Sequence, residues 1–255
     1  MPLDPADALH LGPLRILRGG RDDLLTRVVE TLGPGGRPAA FCFCNAHTAE
    51  IALKRPDYAA ALSRFLLVND GIGLEIAAKI LEGRGFPENL NGTDFTPWML
   101  ENLERPVSLY LLGAEPGIAA ATARIFAERY SGVRIVGARD GYFPPEEEAA
   151  IVSAIEAARP DILLVALGNP GQELFIARHF EALGAKAMFG VGALFDFMAG
   201  KVVRAPIWVQ RARLEWAFRL MQEPGRLVRR YTIETASFLI AVTRLRLSGA
   251  ARRSP

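Results

Sequence analysis

The chain has 255 residues, of which half are hydrophobic and 23% are charged. This composition is typical of a folded globular protein with one large α/β domain, or one domain and an appendage. No apolar run approaches the ~20 residues of a membrane-spanning helix, and the charged start is unlike a secretory signal peptide.

The formal net charge of +2 conceals an uneven distribution. Residues 201–255 contain 12 Lys and Arg against 3 Glu, whereas residues 1–200 contain 18 basic and 25 acidic residues. This asymmetry indicates that a basic C-terminal element meets something anionic, either membrane lipid, nucleic acid or a phosphorylated substrate.

Strand and helix patterns alternate along the first 200 residues. The predicted elements, in chain order, are strand 14–17, helix 22–32, strand 38–44, strand 65–68, helix 72–81, helix 95–103, strand 107–112, helix 117–130, strand 133–136, helix 145–159, strand 161–167, a helix ending near 183 and strand 187–191. This alternation predicts an α/β fold, a Rossmann-like and mostly parallel sheet with helices on both faces. We therefore expect an α/β domain over 1–200 and a helical, basic C-terminal appendage over 201–255.

Polar residues directly follow the predicted strand 65–68. Asp70 stands where a parallel strand delivers a side chain to the carboxyl edge of its sheet, and open α/β folds bind ligands at that edge. Residues 91–94, Asn-Gly-Thr-Asp, then offer a glycine turn and helix-capping residues. An acid facing backbone donors suits proton abstraction beside an anion site. The alternative is that Asp70 and Asp94 only cap helices.

A second polar junction follows strand 161–167. Residues 168–173, Gly-Asn-Pro-Gly-Gln-Glu, form a turn that can present backbone N–H groups to a phosphate or sugar. Gln172 and Glu173 can hydrogen-bond hydroxyl groups there, although an ordinary loop and helix start has the same pattern. Asp196, in an apolar run, either pairs with Arg204 or faces a ligand, and the ion pair is favoured because an unpaired buried charge is costly.

Nucleotide cofactor motifs are incomplete. A Gly-x-Gly sequence at 190–192 fails the dinucleotide fingerprint because position 195 is Phe, and a second one fails at Ile76. Cys42 and Cys44 lie too close in a strand for an ordinary disulfide, and the sequence has no second Cys/His cluster for zinc. We expect buried, reduced thiols in a cytoplasmic protein.

The C-terminal part carries a polar stripe at helical spacing. The stripe and the basic residues that follow it are Arg211, Glu215, Arg219, Gln222, Arg226, Arg229 and Arg230. It is a solvated helical face, a phosphate clamp or an anionic-lipid surface. Nucleic acid is disfavoured, because the aromatic residues here lie at core spacing.

Together these segments resemble one family, the bacterial WecG/TagA/CpsF glycosyltransferases, over about residues 38–231. The motifs are Asn45-Ala46-His47-Thr48, Asn69-Asp70-Gly71-Ile72-Gly73, Asn91-Gly92-Thr93-Asp94, Gly168-Asn169-Pro170-Gly171-Gln172-Glu173, Gly190-Val191-Gly192 with Phe195-Asp196, Arg204-Ala205-Pro206, Leu214-Glu215-Trp216, Arg219, Glu223-Pro224, Arg226 and Arg229-Arg230-Tyr231. The chain departs from some members at Phe43, where they carry Thr, and near Asn89 and Asn91, where they carry Arg.

The resemblance implies a metal-independent, inverting transferase with Asp70 as general base. It would move a hexose from a UDP-sugar to a polyprenyl-diphosphate-linked saccharide in cell-envelope or extracellular polysaccharide biosynthesis, with the UDP-sugar as substrate and no cofactor. It also implies that the appendage completes the active site and docks on the anionic inner face of the cytoplasmic membrane. Its arginines Arg219, Arg226 and Arg229 would bind diphosphate.

The remaining expected site residues bind sugar or nucleotide. They are Asn45, Thr48, Gly71, Asn91, Gly92, Thr93, Asp94, Gly113, Gly168, Pro170, Gln172, Glu173 and Gly192. The donor is left open among N-acetylmannosamine, its uronic acid, glucuronic acid and glucose, and so is self-association. The alternative functions are a non-catalytic membrane-docking partner of a polysaccharide assembly complex and an NAD(P)-dependent oxidoreductase.

Overall fold

Eight strands form one sheet in the computed structural model, which describes residues 3–4, 6–206, 209, 215–222, 225, 228, 232 and 234–248. The strands are β1 (Ala8–Leu11), β2 (Leu14–Leu17), β3 (Ala39–Cys44), β4 (Phe65–Asn69), β5 (Val107–Gly113), β6 (Val133–Arg139), β7 (Ile162–Ala166) and β8 (Ala187–Gly190). Their order across the sheet is β1-β2-β4-β3-β8-β7-β5-β6. β1 and β2 form an antiparallel hairpin, and each of the other neighbouring pairs is parallel.

Helices lie between the strands and after the last of them, β8. They are α1 (Arg21–Leu32), α2 (Ala46–Lys54), α3 (Pro56–Leu62), α4 (Ile72–Glu82), α5 (Gly92–Asn102), α6 (Ile118–Arg129), α7 (Glu148–Ala158), α8 (Gly171–His179), α9 (Leu194–Met198), α10 (Glu215–Gln222) and α11 (Thr235–Leu247). A 3-10 turn, Pro145–Glu147, precedes α7. Within the described residues, none of the helices has both the length and the apolar character needed to cross a membrane.

Two buried clusters cover the two faces of the sheet. In β3, Phe41 and Phe43 point to one face, whereas Cys42 and Cys44 point to the other, as the period of two in a strand requires. The phenylalanine face is covered by α1, α5, α6 and α9, and the cysteine face by α2, α3, α4, α7, α8 and α11. The predicted α/β fold with helices on both faces is therefore confirmed.

The C-terminal helix α11 packs on the sheet domain beside α2 and α4. Phe238 and Val242 are fully buried in the same cluster as the residues of those two helices. Arg246 donates a hydrogen bond from Nη1 to the backbone oxygen of Leu81 at 2.7 Å, near the end of α4. Apolar burial and a partly buried hydrogen bond thus hold α11 against the sheet domain.

Three regions were not predicted from the sequence, and one of them is α9, which begins at Leu194 where the sequence indicates no clear helix. β1 is only four residues long and turns into β2 at Gly12, which has a φ of 57°, so the hairpin carries little periodic signal. Residues 46–62 form two short helices, α2 and α3, and neither shows a clear helical pattern of apolar residues in the sequence. Pro56 begins α3 directly after Arg55, since proline is accepted in the first turn of a helix but cannot continue one.

Candidate active site

A cleft of about 1460 Å³ opens at the carboxyl edge of the sheet. The neighbouring strands β3 and β8 lead to helices on opposite faces, α2 and α9, and such a switch point leaves a crevice in an open α/β sheet. The ends of β3, β4, β7 and β8 and the loops after them line the cleft, and α10 and α11 contribute to its rim.

Asp70 lies in this cleft at the end of β4. Its backbone N–H donates to the carbonyl oxygen of Cys44 at 2.7 Å, which places its side chain beside the end of β3. Asn45 caps α2 through Oδ1, which accepts from the backbone N–H of Thr48 at 3.1 Å, and its Nδ2 lies 3.5 Å from Oδ2 of Asp70. The cap therefore turns the amide donor of Asn45 toward a half-buried carboxylate that can accept a proton.

The turn before α4 adds a second amide next to Asp70. The N–H of Gly71 donates to Oδ1 of Asn89 at 2.5 Å, and both residues line the cleft. Gly71 has a φ of 86°, a left-handed conformation that favours glycine. Because α4 and α2 both begin here, the positive ends of two helix dipoles face the region of Asp70.

The Asn91 turn forms another part of the cleft wall. Oδ1 of Asn91 accepts from the hydroxyl of Thr93 at 2.7 Å and from the N–H of Asp94 at 2.8 Å, which caps α5. Gly92 allows α5 to begin directly on Phe43, since a Cβ at this position would lie 2.7 Å from Cδ2 of that ring. Phe43 thus forms part of the cleft floor beneath α5.

The 168–173 turn contributes Asn169 and Gln172 to the lining of the cleft and places Glu173 behind it. Gln172 lines the cleft, and its Oε1 accepts from the N–H of Gly192 at 3.1 Å. Glu173 is fully buried, and its carboxylate accepts from Tyr58, Asn169 and Gln172. Burial raises the pKa of Glu173 from 4.5 to about 7, because desolvation penalises the charged form more than these donors stabilise it.

Asp196 has a different partner from the expected one. Its Oδ1 lies 3.7 Å from Nζ of Lys201, which also pairs with Glu115 at 2.6 Å, whereas Arg204 pairs with Asp94. The chain turns back directly after α9, so that the N–H of Lys201 donates to the backbone oxygen of Asp196. The expected Asp196–Arg204 pair is therefore wrong, since the segment after this turn carries Arg204 to the start of α5.

One group in the wall has ligand types that bind metal ions. His47, Glu50 and Glu234 each offer one ligand atom, and the three atoms lie within 4.8 Å of one another. Nδ1 of His47 is 2.7 Å from Oε2 of Glu234, which links α2 to the residue before α11. Lys54 is bound to Glu50, so a protein cation already compensates the buried carboxylate of this group.

The structure brings nine of the expected site residues together around the cleft. These are Asp70, Asn45, Gly71, Asn91, Gly92, Thr93, Gly168, Gln172 and Gly192. The others described lie behind or beside it: Thr48, Asp94, Gly113, Pro170 and Glu173. Arg226 and Arg229 lie outside the described residues; Arg219 falls in α10, but its side chain is likewise outside what is described.

Several residues that line or support the cleft are not among the predicted site residues, including Lys201, Tyr142 and Tyr58. Lys201 was counted only in the basic total, Tyr142 is an exposed aromatic residue at the rim, and Tyr58 supports Glu173 from α3. A lone lysine or tyrosine in a loop carries no periodic signal. Tyr58 lies 115 positions from Glu173 and could not be connected to it by spacing.

The described lining of the cleft is acidic. Its carboxylates are Asp70, Glu75, Glu88, Glu115, Asp196 and Glu234, and within this part of the chain Lys201 is the one Lys or Arg among the lining residues. Glu75 pairs with Lys79 and Glu88 with Arg21, which reduces the field of these two groups. A polyanionic ligand would still require cations from other residues.

Comparisons with known proteins show the family of the chain. The model of the Glycosyl transferase WecG/TagA/CpsF family matches residues 10–252. The chain is 32% identical over 184 residues to an N-acetylglucosaminyldiphosphoundecaprenol N-acetyl-beta-D-mannosaminyltransferase of Bacillus spizizenii (strain W23), covering 71% of this chain and 70% of the relative. It is 30% identical over 191 residues to the protein of the same name in Bacillus subtilis (strain 168), covering 74% and 73%.

Proposed function

The chain belongs to the WecG/TagA/CpsF family of glycosyltransferases, and on this basis we propose that it transfers a sugar from a UDP-sugar to a polyprenyl-diphosphate-linked saccharide. The product enters cell-envelope or extracellular polysaccharide biosynthesis. The observation that carries the proposal is the Asp70 carboxylate in the large cleft, beside the Asn45 amide and at the starts of two helices.

Asp70 acts as general base in this proposal. As the hydroxyl oxygen of the acceptor attacks the anomeric carbon, its proton passes to Asp70, and the bond between that carbon and the UDP oxygen breaks. Attack from the side opposite UDP inverts the anomeric configuration. Asn45 donates toward this carboxylate and holds it beside the end of β3, where it meets the acceptor. General-base catalysis of this type contributes roughly 10²- to 10⁴-fold to the rate.

The departing diphosphate needs positive charge that the described walls provide only at Lys201. We assign this task to Arg219, Arg226 and Arg229, because arginine binds phosphate bidentately. The position of α10 supports the assignment, since Trp216 and Gln222 of this helix line the cleft. The same basic segment would dock on anionic lipid at the inner face of the membrane, where the acceptor lies.

UDP-N-acetylmannosamine is the first donor to test. The two relatives above are named for transfer of N-acetylmannosamine to N-acetylglucosaminyldiphosphoundecaprenol. The amides of Asn45, Asn89, Asn91 and Gln172 line the cleft and can hydrogen-bond an acetamido sugar. We propose that no resident metal takes part, with the arginines in the role of the cation.

The proposal is tested by UDP release from a panel of UDP-sugars, with membrane-extracted polyprenyl-diphosphate saccharides as acceptor and EDTA present. Acceptor-dependent release from one donor is the expected result. Asp70→Asn should lower kcat at least about 100-fold while UDP binding is retained. Asp57→Asn is the matched control, since Asp57 is an exposed acid paired with Arg55 outside the cleft. Silence from every donor with folded protein would reject the transferase function and favour the docking-partner alternative.

A further inference from the structure

We propose that Glu173 is a positioning residue, which holds the side-chain amides of Asn169 and Gln172 in one orientation toward the bound UDP-sugar. The identity of the ligand rests on the proposed function. The arrangement of the side chains does not, because it follows from hydrogen bonds among residues of the chain itself.

The carboxylate of Glu173 is the centre of a buried hydrogen-bond network. Its Oε1 accepts from Nδ2 of Asn169 and from Nε2 of Gln172, both at 2.7 Å, and its Oε2 accepts from the hydroxyl of Tyr58 at 2.9 Å. The Sγ of Cys42 also lies 3.9 Å from Oε1, and two of these four donors, Asn169 and Gln172, belong to residues that line the cleft, although Glu173 itself does not. A fully buried acid in this place has no access to substrate and can act only through its neighbours.

The amide of Gln172 is fixed at both ends. Its nitrogen donates to Glu173 and its oxygen accepts from the N–H of Gly192 at 3.1 Å. Gly190 makes room for this placement, because a Cβ there would lie 2.7 Å from Nε2 of Gln172. An amide turned by 180° would face its oxygen to the carboxylate and its nitrogen to an N–H donor, so both hydrogen bonds would be lost.

Asn169 shares this carboxylate oxygen with Gln172, and its amide is held at the nitrogen end. Each amide uses one N–H on Oε1 of Glu173, and each retains a second N–H and acceptor capacity on its oxygen. The cleft therefore receives amide donors and acceptors whose positions are set before the ligand arrives. Pre-organisation of this kind improves binding, because the ligand does not have to order these side chains.

Tyr58 makes the network tolerant of a neutral residue at 173. A tyrosine hydroxyl can accept as well as donate, so a proton on Oε2 of Glu173 leaves both amides in place. Glu173→Gln can reproduce that state, with its amide nitrogen toward Tyr58 and its oxygen toward Asn169 and Gln172. Glu173→Leu has a similar volume but removes the acceptor.

The kinetic test compares these two variants with Tyr58→Phe as a matched control, because Tyr58 binds the other oxygen of the same carboxylate. We expect Glu173→Leu to raise KM for the donor about tenfold, and Glu173→Gln and Tyr58→Phe to change it less than about twofold. In an Asn169→Ala/Gln172→Ala background, Glu173→Leu should have less than about a twofold further effect. An equal effect in both backgrounds would mean that Glu173 acts only through stability and would overturn the proposal.

A second measurement needs neither substrate nor the leucine variant. In NMR spectra of the free protein, the NH₂ groups of Asn169 and Gln172 should give resolved, rigid signals in the wild type and in Glu173→Gln, each assigned by its alanine variant. Motionally averaged wild-type signals would refute the positioning role. If rigid amides are found but no UDP-sugar is used, the proposed function fails and the positioning role stands.

Discussion

Glu173 should make the protein less stable as the pH rises from 5 to 8. Because burial raises its pKa from 4.5 to about 7, the folded protein binds this proton more tightly than the unfolded chain does. The resulting stability is fully present below the unfolded pKa and is lost as the pH rises through the folded pKa. Glu173→Gln removes the titration and should therefore flatten the pH dependence of the free energy of unfolding.

The size of the effect follows from the two pKa values. The pKa of Glu173 is 4.5 in the unfolded chain and about 7 in the folded protein. Relative to Glu173→Gln, the wild type should therefore lose roughly 2 to 3 kcal/mol of its free energy of unfolding between pH 5 and pH 8. Urea unfolding of both proteins at each pH measures it, and the difference between them cancels the other titrating groups. If the free energy of unfolding depends on pH in the same way for the wild type and Glu173→Gln, the charge of the buried acid does not destabilise the folded protein and the prediction is wrong.

Three further predictions concern the walls of the cleft and the strand beneath them. Gly92→Ala should destabilise the protein by about 1 to 3 kcal/mol, because its Cβ would overlap the Phe43 ring. Gly132→Ala is the control and should not destabilise it, since its Cβ would meet nothing closer than 3.9 Å. Urea unfolding midpoints of the two variants and the wild type measure the difference. Asn45→Ala should lower the free energy of unfolding by about 1 kcal/mol through loss of the α2 cap, and it should also lower kcat because Asp70 loses a donor. Asn45→Asp preserves the cap and therefore separates the two effects. Unchanged stability of the alanine variant would contradict the capping role. The two β3 thiols are fully buried with raised pKa values, so DTNB should label them at pH 8 only after unfolding, and rapid labelling of native protein would contradict their burial.

The strands at the centre of the sheet could be predicted from the sequence because burial on both faces makes them continuous apolar runs. β3, β4, β5, β7 and β8 have this pattern, and polar residues after several of them mark the carboxyl edge. The position of Asp70 in the cleft followed from that rule alone, since a residue directly after a parallel strand must lie at this edge. The hairpin strand β1 has no such signal, because four residues are too few to show a period.

Side-chain partners could not be predicted in the same way. Asp196 was assigned to Arg204 by charge, but the turn after α9 brings Lys201 back to it and sends Arg204 to Asp94. Glu173 was expected among the residues that bind substrate, and it is buried instead, because the first turn of α8 directs it toward α3. Which face a residue presents in the first turn of a helix depends on the packing of elements far away in the sequence.

The acidic walls of the cleft also bear on how a catalytic cycle ends. When a sugar leaves UDP, the terminal phosphate gains negative charge in a cleft whose described lining holds six carboxylates and one lysine. Like charges a few ångströms apart repel by on the order of 1 kcal/mol even in a water-like medium. We expect the acidic walls to weaken the binding of UDP more than the binding of UDP-sugar. A new donor can then replace the released UDP in the cleft.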